Sequence, residues 1–292
     1  MAEIRILQPG DEVALEAFLL PRVESSMFLI GNLRAAGLVD VGKLFEGTYA
    51  AAFAHGKIVG VVAHYWNGNL VLQAPTEVAA LCLVVVGASG RRIQGLIGPQ
   101  DQVGAAREAL HLEEAAIQMD ETEKLYSLAL ENLVVPEGLR SGRWRARRLE
   151  AGDLDLLTAW RVGFSVEALG DQESPRLRKQ CRASAERSLG RGWTWLLEDG
   201  GEPVATSSFN ATINEAVQVG GVWTPPHLRN RGYGRAAVAA SLLEVRAEGV
   251  TTSILFTGEG NVAAQRAYLA LGFQQIGGYR LLLLRSPSGG RA

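Results

Sequence analysis

Short apolar runs alternate with turn-forming residues along the chain, and the same order of runs occurs twice. RILQPGD sets Asp11 ahead of apolar Val13, Leu15 and Phe18, and RRLEAGD sets Asp153 ahead of Leu154, Leu156, Leu157 and Trp160. Each opening predicts a helical region and then a hairpin. The first hairpin is TYAAAFA, a turn at His55-Gly56-Lys57, and IVGVVAHY; the second is WTWLLE, a turn at Asp199-Gly200-Gly201, and VATSSF. Strand-forming runs on either side of a glycine-containing turn are the usual hairpin signal. Third strands follow at NLVLQA and AVQVGGVW, with helices next over 77–86 and 235–248. The short strands QGLIG and SILFT and the helices QVGAAREAL and VAAQRAYLAL complete the two halves. Matching order predicts duplication of one α/β unit. Between the halves, VPEGLRSGRWR carries Pro136, Gly138, Ser141 and Gly142 and reads as a linker, which predicts domains 1–140 and 141–292. One large mixed domain with two accidentally similar beginnings is the competing organisation.

The length of 292 residues agrees with two domains. An apolar fraction of 47% with 21% charged residues is ordinary for a globular protein, and a net charge of −2 supplies no general attraction to nucleic acid. The start MAEIRILQPGDE lacks the basic and then apolar pattern of a signal peptide, and no apolar run approaches ~20 residues, so a cytoplasmic protein with no membrane partner is expected. Cys82 and Cys181 stand in helix-like segments without CxxC spacing, which predicts reduced structural thiols. His55, His64, His111 and His227 show no metal-ligand spacing, and there is no GxSxG nucleophile motif. No metal is expected.

The richest chemistry lies in QVGGVWTPPHLRNRGYGRAAVAASLLEVRAEG, where a strand runs through a Pro-Pro turn and a basic glycine loop into a helix. Val238, Leu242 and Val245 give that helix an apolar stripe. Gly232 and Gly234 therefore sit at a helix N-terminus, where unpaired N–H groups and the dipole favour an anion and absent side chains let it approach the main chain. Arg229, Arg231 and Arg235 add charge suited to phosphate. The natural ligand is a polyphosphate. Gly232 to Ala237 also fits the G-x-G-x-x-A dinucleotide pattern, although the basic approach is longer than a Rossmann turn and too little chain follows for the rest of that fold. A plain helix cap with surface arginines is the third reading. In the following segment, SILFTGEGNVAAQRAYLALGF, Ala264, Ala267, Tyr268 and Leu271 share a helical face and Asn261 stands at the N-cap position. Packed beside the loop, this helix would project Tyr268 toward the ligand.

Together, R-x-x-G-x-G and N-x-x-A-x-x-x-Y ending in LGF resemble the two signature motifs of the GNAT superfamily of N-acetyltransferases. The resemblance covers roughly residues 147–284. The run GVWTPPHLRNRGYGRA, preceded by FSVEALG and GRGWTWLLEDG, is similar to two-domain bacterial GNAT proteins whose N-terminal half is a divergent copy. It implies tandem domains, each a mixed, mostly antiparallel sheet flanked by helices. It also implies an acetyl-CoA donor site formed by Val222, Trp223, Thr224, Arg229, Asn230, Arg231, Gly232, Tyr233, Gly234, Arg235, Asn261, Ala264 and Tyr268. The diphosphate would rest on backbone N–H groups near residues 230–235, and the pantetheine arm would run between the strand ending at Thr224 and SILFT.

Acyl transfer to an amine needs a neutral nucleophile, a donor to the carbonyl oxygen and a proton for the leaving thiolate. A backbone N–H near Val222 or Trp223 suits the second role. Tyr268, with an ordinary pKa of about 10 against about 8.5 for a thiol, suits the third and is the catalytic candidate. Some GNAT enzymes carry a glutamate on the central strand, where this chain has Gln218, which cannot accept the proton. Glu215, Glu259 or a water chain is left for the base. WRVGFSVEALGDQE supplies acceptor candidates: Trp160 and Phe164 for a wall, Glu167 or Asp171 for an ammonium. The run PRLRKQCRASAERSLGR reads as a solvated basic face. The N-terminal half lacks the arginine-glycine loop and sets Ala109 where Tyr268 lies in the other half, so it is expected to bind no acetyl-CoA. The acceptor is an amine on a small molecule or peptide, and monomer and homodimer both remain open. A binding module that senses acyl-CoA without turnover is the alternative function.

Overall fold

The computed structural model describes residues 2–168 and 170–288. In chain order the first elements are β1 (Glu3–Ile6), α1 (Glu12–Leu19), α2 (Val23–Ala36), β2 (Gly47–Ala54), β3 (Lys57–Tyr65), β4 (Asn69–Gln73), α3 (Val78–Ser89), β5 (Ile93–Pro99), α4 (Gln100–Ala109) and β6 (Ile117–Ala129). There follow α5 (Glu137–Arg140), β7 (Trp144–Arg148), α6 (Leu154–Ala168), α7 (Pro175–Arg191), β8 (Thr194–Asp199), β9 (Glu202–Thr212) and β10 (Ala216–Trp223). The last are α8 (Tyr233–Ala247), β11 (Thr252–Gly258), α9 (Val262–Leu269) and β12 (Gln274–Ser288).

Two compact units result. One comprises Met1–Leu125, Phe256–Gly260 and Gln275–Ala292, the other Tyr126–Leu255 and Asn261–Gln274. This division differs from a single boundary at residue 140. Leu130 and Leu133 are buried with Val238, Leu242 and Leu271 in the core of the second unit, and the Val134 N–H donates to Leu271 O at 3.0 Å. The segment read as a linker thus belongs to the second unit and includes α5. Conversely, β12 pairs antiparallel with β5, placing Leu282 and Leu284 in the core of the first unit.

Within the first unit the sheet order is β1-β2-β3-β4-β5-β12, with β4 and β5 parallel and the other pairs antiparallel. The second unit repeats the pattern as β7-β8-β9-β10-β11, with β10 and β11 the parallel pair. Each parallel pair needs a crossover helix, supplied by α3 and by α8. Each leading hairpin closes through two residues of positive φ, His55 (50°) and Gly56 (73°) in one, Gly200 (65°) and Gly201 (86°) in the other. Such turns match the twist of the paired strands. The duplicated α/β unit is the one the repeated pattern predicts, and the mixed, mostly antiparallel sheets are those the resemblance implies.

His64 on β3 is fully buried and its Nδ1 lies 2.7 Å from Ser89 Oγ. Burial, with the Arg91 guanidinium nearby, pushes its imidazole down to about 4. The unfolded chain, near 6.5, binds the extra proton first as pH falls. Stability is therefore expected to drop by roughly 3 kcal/mol between pH 6.5 and pH 4 on this account. Urea midpoints at pH 7 and pH 4.5 check this. The difference should shrink in His64→Gln, and an equal difference in both proteins would remove His64 as its source.

Candidate active site

The site forms where β10 loses its neighbours. Its parallel ladder with β11 runs from Ala216–Thr252 to Val219–Leu255 and stops there, although β10 continues to Trp223. On the other side, the register with β9 shifts between Gln218 and Val219 and again between Gly220 and Trp223. A bulge leaves backbone groups outside the ladder, here at Gly221 and Val222. Gly221 has φ +59°, and a Cβ there would stand 2.6 Å from Ser208 Oγ, while one on Gly220 would overlap the Asn210 side chain. Gly221 needs glycine for its left-handed backbone, whereas the exposed Asn210 side chain can turn away from a Cβ on Gly220. The pair Gly220-Gly221 inside an otherwise strand-like run was the sequence signal for this bulge.

After β10 the chain passes through a short 3₁₀ turn (Pro226–Leu228) and two left-handed residues, Asn230 (φ 62°) and Gly232 (φ 84°). Gly232 caps α8 without a side-chain hydrogen bond, and the first helical bond runs from Ala236 N–H to Gly232 O at 3.0 Å. The N–H groups of Tyr233, Gly234 and Arg235 precede that bond and stand at the positive end of the helix. A Cβ on Gly234 would lie 3.2 Å from Thr224 Oγ1 and 3.8 Å from Val222 Cγ1, so the missing side chain keeps the loop close to the strand end.

The side chains of this loop divide the work. Arg229 is engaged from within the unit: Nη1 and Nη2 donate to the two carboxylate oxygens of Glu167 at 2.6 and 2.9 Å, and Nε donates to Thr224 O at 3.0 Å. Its guanidinium also covers the Trp223 ring at 4.8 Å from the centroid. Arg229 therefore braces the loop, and Glu167 is held below the usual carboxylate range by that hydrogen-bonded cation. Both oxygens of Glu167, one of the two acids suggested for an ammonium, accept from Arg229, and Asp171 is the one of the two that lines the cavity described below. The Tyr233 ring is buried and its hydroxyl donates to Asp199 Oδ2 at 2.6 Å. Asn230 and Arg231 are exposed. Arg235 is half-buried and its Nε has no hydrogen-bond partner among the described residues.

On α9, Asn261 takes the N-cap position and its side chain accepts from Ala264 N–H at 3.2 Å. Tyr268 is buried one turn further on, with its ring edge-on to Phe273 at 5.9 Å. It shares one apolar cluster with Val219 and Val238, against which Val222 and Ala264 pack. Gly272 ends this segment at φ +97°, where a Cβ would come within 2.9 Å of Asn132 O. Gln218 is 5% exposed and its Oε1 has no partner among the described residues, so β10 carries a buried acceptor close to the bulge. Glu215 precedes β10 at the end remote from the bulge, roughly 20 Å from Gly221 along an extended strand. That distance removes it as a base.

A cavity of about 510 Å³ opens beside the bulge within the same unit. Its walls include Trp160, Phe164 and Trp223, as well as Asp171 and Gly221. Phe164 and Trp223 meet edge-to-face at 6.0 Å, and a Cβ on Gly163 would come within 3.2 Å of the Trp223 ring. Trp160, Phe164 and Asp171 thus stand together as the sequence suggested. The basic run on α7 is largely a solvated face: Arg178 pairs with Glu173, and Arg182 pairs with Asp155 and Glu186. Among the described residues no group of three or more His, Cys, Asp or Glu could hold a metal ion, and no helix is long and apolar enough to cross a membrane. Cys82 and Cys181 are free and buried.

A strand interrupted by a bulge, a glycine loop on a helix N-terminus and a second capped helix follow one another in this part of the chain. Residues 155–273 match a family model described as the acetyltransferase (GNAT) family. Solved structures show the same fold over nearly the whole chain. A Drosophila protein aligns at 15% identity over 97% of this chain and 99% of its own, with a TM-score of 0.64. A GCN5-related N-acetyltransferase from Kribbella flavida aligns at 19% identity over 91% and 95%, with a TM-score of 0.54. A tandem GNAT protein from the clavulanic acid biosynthesis pathway aligns at 14% identity over 99% and 100%, with a TM-score of 0.52. Among curated proteins none matches the sequence significantly.

Proposed function

We propose that the protein is an acetyl-CoA-dependent N-acyltransferase with one donor site, in the second unit. The observation that carries this reading is the succession within one short segment of the bulge at Gly221 and Val222 and the N–H groups at the start of α8. The donor supplies an acyl group activated as a thioester, with a thiol as the leaving group. The residues of the loop fit its diphosphate: Gly232 and Gly234 leave the main chain open, and Arg235 brings a buried, unpartnered Nε. Trp223 and Thr224 carry the chain from the bulge to this loop, and Asn230 and Arg231 flank it. The bulge N–H groups donate to the carbonyl oxygen, fixed before reaction at no reorganisation cost. Tyr268 holds a hydroxyl proton for the thiolate side, and Asn261 and Ala264 set the start of the helix that carries it. Gln218 takes no proton and Glu215 is remote from the bulge, so the acceptor amine loses its proton to water.

The first unit is not assigned a donor site. Its corresponding connection is only the segment 74–77, and Glu77, not glycine, takes the left-handed position before α3 (φ 62°). A carboxylate at that helix start opposes an anion. Gln102 Oε1 also accepts from Ala74 N–H at 2.7 Å, which occupies the connection internally.

Thiol release from acetyl-CoA with a panel of amines tests the function. Turnover with at least one amine is expected. Saturable acetyl-CoA binding with no turnover across the panel would favour a ligand-sensing module.

A further inference from the structure

Arg161 differs from the ion-paired arginines of its unit. Arg147 pairs with Asp153, Arg148 with Glu244 and Glu248, and Arg229 with Glu167. Among the described residues, the hydrogen-bond partners of Arg161, on α6, are two serine hydroxyls from α7: Nη1 donates to Ser184 Oγ at 2.6 Å and Nη2 to Ser188 Oγ at 2.7 Å. Burial pulls its pKa below the ordinary value, although an arginine remains charged at physiological pH. A partly buried guanidinium without an anion is costly, and hydroxyl dipoles do not neutralise it. Two hydroxyls also leave N–H groups of the five-donor fork uncommitted.

Arg161 lines the 510 Å³ cavity, where it is the one cation and Asp171 the one anion among the described lining residues. The rest of the wall is largely apolar or neutral, with Trp160, Phe164 and Trp223 supplying aromatic surface, and Gly221 of the bulge lies on the same wall. A ligand that satisfies this lining carries a carboxylate for Arg161, an amine for Asp171 and an apolar body. The volume suits a small molecule.

We infer that the acyl acceptor is a free amino acid with an apolar or aromatic side chain, held by its carboxylate on Arg161 with its amine directed to Asp171 and the bulge. The inference rests on the acyltransferase reading for its chemistry but not for its binding. In the reaction the ammonium first releases a proton to water. The amine nitrogen then forms a C–N bond to the acyl carbon as the C–S bond breaks and the electron pair leaves on sulfur; the nitrogen gives up its second proton to water, and the thiolate takes up a proton from Tyr268, which water restores. The products are an N-acyl amino acid and free CoA.

Two measurements on the full chain test this: calorimetric binding of leucine and phenylalanine against their primary amides, and acetyl-CoA turnover with the same four compounds. The acids are expected to bind and react at least ~50-fold better than the amides, which lack the carboxylate. In Arg161→Gln that preference should fall below ~5-fold, with Arg161→Lys intermediate and acetyl-CoA affinity unchanged within about twofold. The wild-type acid-to-amide ratio needs no variant, so a misfolded Arg161→Gln protein does not hide the answer. Equal binding of acids and amides, or a preference that survives in Arg161→Gln, overturns the inference while leaving acyl transfer intact. Acid-selective binding without any acetyl transfer upholds the pocket and overturns the proposed function.

Discussion

Gly234→Glu is expected to weaken acetyl-CoA binding by about 100-fold or more, equivalent to roughly 2.7 kcal/mol. The position follows directly after the first residue of α8, among the N–H groups that precede the first helical hydrogen bond. A carboxylate there would take up the anion site itself and repel the diphosphate. The added side chain would also meet Thr224 Oγ1 from a Cβ only 3.2 Å away. Gly234→Ala separates the two effects: it brings the crowding without the charge and should cost only a few-fold, because Thr224 needs to yield by a few tenths of an ångström. Thermal shift at increasing acetyl-CoA concentration measures both variants, since a ligand at 100 times its Kd stabilises by about 2.7 kcal/mol. Unchanged midpoints without ligand show that the fold persists. Wild-type affinity in Gly234→Glu would place the donor elsewhere.

Tyr268→Phe is expected to lower kcat by about 100-fold while the acetyl-CoA affinity stays within about twofold. The ring is buried against Phe273 and keeps its packing when only the oxygen is lost. A purely structural tyrosine would instead show a lower melting temperature at unchanged kcat. That pattern would remove Tyr268 from the chemistry.

Much of the local structure was legible because it depends on local chemistry. The two hairpin turns require left-handed backbone, and His55-Gly56 and Gly200-Gly201 announce it. Asn261 reads as a cap and is one, since capping reaches only to Ala264. Helix α8 begins at Tyr233, two residues before the expected 235, because the left-handed Gly232 ends the loop there. The interleaving of the two units was not legible. Leu130 and Leu133 look like any apolar residues before a linker, and only tertiary packing assigns them to the second unit. Nor does sequence pair Arg229 with Glu167, because ion pairs distant along the chain leave no periodic trace. Arg161 resembles the surface arginines of α7 for the same reason, and its burial appears only when α6 and α7 pack.

Calorimetric titration of acetyl-CoA into the purified protein tests the central claim most directly. One site per chain with micromolar affinity is the predicted result. No binding, or two equivalent sites per chain, would contradict a single donor site in the second unit.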